Sequence, residues 1–132
     1  MKGTFVPKSE MVRESFDWGE IAWASRPQNT ESKQLAILDV TITPGMGHNF
    51  HRHPEQEEMI YVLEGEIEQW IEREKKILKA GDAVFIGKGV VHASFQRGEK
   101  SAHLLAILGP AVGEGGYELE DVSEEAPWKG LR

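Results

Sequence analysis

The sequence predicts an all-β protein, a sandwich or barrel of short strands. Three observations carry that expectation. Short apolar runs recur between turn signals from Leu35 to Leu108, several of them alternate with a period of two, and no window in that stretch has a helical period of about 3.6.

The elements follow in order. Leu35 to Thr43 is rich in β-branched residues, sends Ala36, Leu38, Val40 and Ile42 to one face, and stops at Pro44-Gly45. Residues 57–63 turn at Glu64-Gly65 into 66–72, where Ile67, Gln69 and Ile71 alternate with charged residues and Trp70. Residues 76–80 lead through Gly81-Asp82 into 83–86, Lys88-Gly89 precedes 90–96, and Arg97-Gly98-Glu99 turns into the last apolar strand, 102–108. Before this region only Ile21 to Ala24 forms an apolar run, and 26–33 reads as a loop. From Gly109 a glycine-rich stretch leads into an acidic tail. We expect one domain over 1–132, with its core at 35–108, an N-terminal strand or arm at 1–34 and a C-terminal extension at 109–132.

Composition narrows the function classes. Fifteen Lys and Arg against 22 Asp and Glu give a formal charge of −7, which disfavours binding to phosphate backbones, so no nucleic-acid partner is expected. The absence of cysteine excludes disulfides, thiolate metal sites and thiol nucleophiles. Residues 1–10 lack the apolar stretch of a secretory signal, and no apolar run is long enough to span a bilayer; the expectation is a cytoplasmic protein with no membrane partner.

Five histidines are present, at 48, 51, 53, 92 and 103, and three of them fall within six positions. In an extended chain His51 and His53 project to the same face, and Glu57-Glu58 follows closely. Imidazole nitrogen and carboxylate oxygen together suit a divalent transition metal. His92 opens a later strand and would reach the same point if the sheet curls into a barrel.

Gly45-x5-His51-x-His53-x4-Glu58-x6-Gly65 resembles the first motif of the cupins. Gly81-x5-Gly87-x-Gly89-x2-His92-x3-Gln96 resembles the second, with Gly87 where the family usually has proline and Gln96 where it usually has asparagine. The resemblance implies a double-stranded β-helix, a small RmlC-like jelly-roll barrel. It also implies one divalent transition metal (Fe, Mn, Ni or Zn) held by His51, His53, Glu58 and His92. Strict alternation from His53 would select Glu57 instead of Glu58, but the turn at His53-Pro54-Glu55 breaks that parity. The missing proline relaxes a φ restraint near His92, and Gln96 is expected to alter a supporting hydrogen bond, not a ligand.

Around this set, His48 reads as a solvent-facing loop residue beside Gly47. His103 reads as a sheet-face histidine or, alternatively, as a catalytic acid or base in the pocket. Met59, Tyr61, Phe85 and Gln96 are the substrate-binding candidates, with core packing as the competing reading for the large apolar ones. Four protein donors on a metal that prefers six leave room for a small-molecule ligand. The resulting expectation is a metal-dependent enzyme on a small oxygen-rich metabolite, dioxygenase-like ahead of isomerase or decarboxylase. The alternative is a non-catalytic cupin that binds a metal or small ligand. A homodimer is expected, with the strand near Ile21 to Ala24 crossing to its partner.

Overall fold

The computed structural model describes residues 2–132. Its strands are β1 (Arg13–Phe16), β2 (Gly19–Ser25), β3 (Ala36–Ile42), β4 (Gly47–Arg52), β5 (Glu57–Glu64) and β6 (Glu66–Ile71), then β7 (Glu74–Lys79), β8 (Ala83–Ile86), β9 (His92–Arg97), β10 (Ala102–Gly109) and β11 (Glu120–Asp121). One short helix, α1 (Pro27–Thr30), interrupts the segment read as a loop.

The strands form two antiparallel sheets, ordered β1-β2-β3-β10-β5-β8 and β11-β4-β9-β6-β7. The chain crosses repeatedly from one sheet to the other, which is jelly-roll winding. The expected barrel is corrected here: neither sheet closes on itself, because β1 and β8 end one sheet and β11 and β7 end the other. The two sheets face each other as a sandwich.

Two positions show why glycine is needed. Gly65 turns the chain from β5 into β6 with φ +78°, and a Cβ there would lie 2.7 Å from the Ser101 carbonyl oxygen. Gly47 opens β4 against the Phe95 ring, where a Cβ would sit 2.2 Å from a ring carbon.

The main core lies between the sheets. β3 and β10 bury alternate residues, among them Leu38, Val40, Leu104 and Ala106, as does the inner face of β5 with Ile60 and Val62. Burying each large aliphatic side chain contributes about 1.5–3 kcal/mol. A second cluster sits on the outer face of the five-stranded sheet, where Phe50, Trp70, Ala93 and Phe95 are covered by Val122, Trp128 and Leu131. The C-terminal segment thus covers one sheet from outside, and this is why every residue from His92 to Gln96 is buried on either face.

The apolar run Ile21–Ala24 lies within β2, which is bonded on both sides within the chain, to β1 and to β3. It therefore presents no free edge for crossing to another copy. Among the described residues, no helix is long and apolar enough to cross a membrane.

Candidate metal centre

His51 and His92 are direct cross-strand partners on β4 and β9 of the five-stranded sheet. Their meeting needs no barrel closure, which corrects the geometry expected from sequence. His53 follows two residues on and points the same way, inward and buried. From the facing sheet, β5 brings Glu58 across the gap. One ring nitrogen from each of His51, His53 and His92 lies within 4.8 Å of the others.

Backbone carbonyls set the tautomer of all three imidazoles. His51 Nδ1 lies 2.6 Å from the Asn49 oxygen, His53 Nδ1 lies 2.8 Å from the Glu118 oxygen, and His92 Nδ1 lies 3.0 Å from the Val90 oxygen. A carbonyl only accepts, so each Nδ1 carries the hydrogen and each Nε2 presents a lone pair inward. Such outer hydrogen bonds are how metal-binding histidines are held in orientation.

Glu58 Oε1 lies 3.0 Å from His92 Nε2 and 3.2 Å from His53 Nε2. Among the described residues, Glu58 Oε1 and His92 Nε2 are both buried and both lack a hydrogen-bond partner. A buried carboxylate oxygen facing imidazole lone pairs is costly unless a cation or proton sits between them. The donor set, three imidazole nitrogens and one carboxylate, fits a divalent transition metal. The buried His51, His53 and His92 cluster is capable of coordinating such an ion. Glu57, by contrast, is exposed on the outer face of β5.

The charges follow from the burial. Burial pushes the Glu58 carboxyl up, but His92 and His53 outweigh it and hold it below the ordinary carboxylate range. Burial pushes His92 down, and the Glu58 charge reverses this, leaving His92 above the usual 6.5. His51 is held well below 6.5 by burial, reinforced by the neighbouring imidazoles.

His48 is not the solvent-facing loop residue expected from sequence. It lies in β4, lines the cavity beside the cluster, and stacks on His51 with ring centroids 3.8 Å apart. A register shift between His48 and His51 is the cause: it turns His48 to the inner face, where strict alternation would put it outside. Trp18 stacks on its other side at 5.0 Å. Burial lowers the His48 pKa to about 4.

Tyr117, also unforeseen, enters the cavity wall from the C-terminal segment, its ring 5.6 Å from that of His53. Gln56 fixes this segment, donating to the Pro110 and Gly116 carbonyls at 2.7 and 3.0 Å and accepting from the Glu118 N–H at 3.2 Å. The cavity has a volume of about 40 Å³, and apart from Trp18 and Ser94 its remaining walls are aliphatic.

The other candidates lie elsewhere. Because Glu58, Ile60 and Val62 point inward, Met59 and Tyr61 point outward, and Phe85 on β8 joins them on the outer face. His103 likewise faces out of β10 and bonds Asp39 at 2.5 Å. Gln96 is buried and committed to the backbone: it accepts from Gly45 N–H at 2.7 Å and donates to the Gly98 and Lys100 carbonyls at 2.8 Å each. It ties two turns together and does not line the cavity.

Two facing antiparallel sheets enclosing three inward imidazoles and a carboxylate define a jelly-roll protein built around an internal His-rich site. The chain belongs to the cupin family, whose domain model (Cupin domain) matches residues 28–108. It is 46% identical over 61 residues to an uncharacterized protein of Aquifex aeolicus, covering 46% of this chain and 50% of that one. The chain spans about half the length of the curated relatives it matches, from 38% to 64%. Among solved structures it resembles KdgF from Halomonas sp., with TM-score 0.72, 19% identity, and coverage of 81% of this chain and 94% of that one. It also resembles oxalate decarboxylase from Lactobacillus farciminis, with TM-score 0.78, 17% identity, and coverage of 88% and 35%. At these identities the two likenesses are of fold.

Proposed function

We propose that this cupin is a metal-dependent enzyme acting on a small molecule, with dioxygen-dependent oxidation favoured over isomerisation or decarboxylation. The observation that carries the reading is a convergent donor set, His51, His53, His92 and Glu58, opening onto a cavity whose other walls are mainly aliphatic. Among the described residues, no Lys or Arg lines that cavity. A substrate with two or more negative charges would have no cationic side chain to meet, whereas dioxygen and a largely apolar substrate suit such walls. This weighs against the substrate for which the oxalate decarboxylase is named.

A divalent ion held by these four side chains would supply Lewis acidity and, for iron, one-electron chemistry toward dioxygen. The chain's own residues do the rest. Glu58 offsets two units of positive charge in part, the three Nδ1–carbonyl bonds fix the imidazoles, and the aliphatic walls limit water beside the site.

The test is oxygen consumption by the metal-loaded protein with enols, catechols and thiols. Turnover that survives His51→Ala combined with His53→Ala would overturn the proposal. A second reading, a non-catalytic cupin that holds a metal or small ligand, is favoured by the cavity volume of about 40 Å³, room for little more than an ion and a few waters. Metal-loaded protein that binds no azide and turns over none of those substrates would select it.

We also propose that a second copy covers the outer face of the six-stranded sheet. Met59, Tyr61 and Phe85 are 40%, 43% and 56% exposed there. Cross-strand pairing makes Ile37, Ile107, Met59 and Phe85 one apolar row.

A further inference from the structure

The cavity polar groups divide by what already engages them. His51, His53, His92 and Glu58 form the cluster, and Ser94 Oγ lies 2.6 Å from Gln69 Oε1, to which it donates. Besides the Trp18 indole, His48 and Tyr117 are the further side chains with polar atoms among the described residues of the wall. They come from different parts of the sequence, β4 and the C-terminal segment, yet line the same space.

Neither is a mobile surface group. His48 is clamped between the rings of His51 and Trp18, at 3.8 and 5.0 Å. Tyr117 packs its ring at 5.3 Å from Trp23 and 5.6 Å from His53, on a segment pinned by Gln56. Partly buried polar side chains held in fixed positions on the wall of a mainly aliphatic cavity are what orients a ligand, because their hydrogen-bonding atoms need no reordering to meet it.

We propose that Tyr117 and His48 supply the hydrogen bonds that recognise a small ligand seated at the histidine cluster, a molecule largely apolar and uncharged beyond the atom that meets the metal. This rests on the cluster holding a metal. The Tyr117 hydroxyl both donates and accepts hydrogen bonds. A neutral His48 imidazole offers one donor and one acceptor.

The experiment uses the full chain loaded with cobalt(II) and titrated with azide, followed by the visible cobalt spectrum. Tyr117→Phe removes only the hydroxyl, and His48→Phe keeps an aromatic ring between Trp18 and His51. Each is expected to weaken azide binding, Tyr117→Phe by about tenfold, while cobalt content and cobalt affinity stay at the wild-type level. Unchanged azide affinity in both variants would overturn this inference and leave the metal reading standing. Loss of cobalt in both variants would make them packing residues and overturn it equally. Failure of the wild-type chain to bind cobalt would overturn both this inference and the metal reading.

Discussion

His53 donates its Nδ1–H to the backbone carbonyl of Glu118, 2.8 Å away and 65 residues along the chain. The bond ties the C-terminal segment to the histidine cluster, since it fixes which nitrogen of His53 faces inward. The adjacent pairing of Asp121 with His51 places β11 along the same edge of β4.

Gln56 should therefore control metal affinity without touching the metal. It is 2% exposed and holds three backbone groups of the C-terminal segment. Gln56→Ala leaves those groups without their partner, at about 1–3 kcal/mol for each that stays buried and unsatisfied. Zinc affinity is expected to fall about tenfold, as for the loss of an outer hydrogen-bond partner. Denaturant unfolding of the metal-free chain and competitive zinc titration measure the two effects separately. Unchanged zinc affinity would detach the C-terminal segment from the site.

Acid should act on the chain in two ways. In the metal-free chain, His48 and His51 are neutral when folded, with pKa values depressed from 6.5, to about 4 for His48. Unfolding lets them take up protons, so stability falls as pH drops from about 6.5 toward 4. The depressed Glu58 adds stability present above about 4.5 and lost as pH falls further. His92, with its raised pKa, contributes the opposite sign, stability present below 6.5 and lost as pH rises through its folded value. For metal binding His92 must give up its proton, so affinity should begin to weaken above pH 6.5 as acid is added. Metal titrations from pH 8 to 5 check this, and a flat affinity over that range would remove the histidines as ligands.

Much of this was legible in the sequence because β structure alternates. The runs 35–43, 57–63, 66–72 and 102–108 lie within a residue or two of β3, β5, β6 and β10, and Ala36, Leu38, Val40 and Ile42 point inward as alternation requires. The motif spacing brought Glu58, not Glu57, beside the histidines, because the turn at Pro54 to Gln56 resets the parity of β5. The same parity then sends Met59 and Tyr61 outward, a consequence that residue type alone obscures. His48 escaped the reading because a register shift in β4 is a property of pairing with β9, which no local pattern records. Tyr117 escaped because the glycine-rich stretch before it has no periodicity, and its place depends on Gln56, 61 positions earlier.

Gln96 should matter for stability and not for metal. Its amide ties the turn at Gly45 to the turn at Gly98 to Lys100. Gln96→Ala is expected to destabilise the chain by about 1–3 kcal/mol, seen in denaturant midpoints, with metal content retained. Gln96→Asn, one methylene shorter, should recover part of that loss.

The bare outer face of the six-stranded sheet makes a prediction about assembly. Sedimentation at micromolar concentration should show a dimer, converted to monomer by Tyr61→Glu with Phe85→Lys. A monomeric wild-type chain would leave that face without the partner proposed for it.

The most direct measurement is elemental analysis of untagged protein purified without chelator, beside His51→Ala and His103→Ala. About one transition metal per chain is expected in the wild type and in His103→Ala, whose imidazole faces away from the cluster, and little in His51→Ala. A wild-type chain that carries no metal and takes up none on reconstitution with iron, manganese, nickel or zinc would contradict the metal centre.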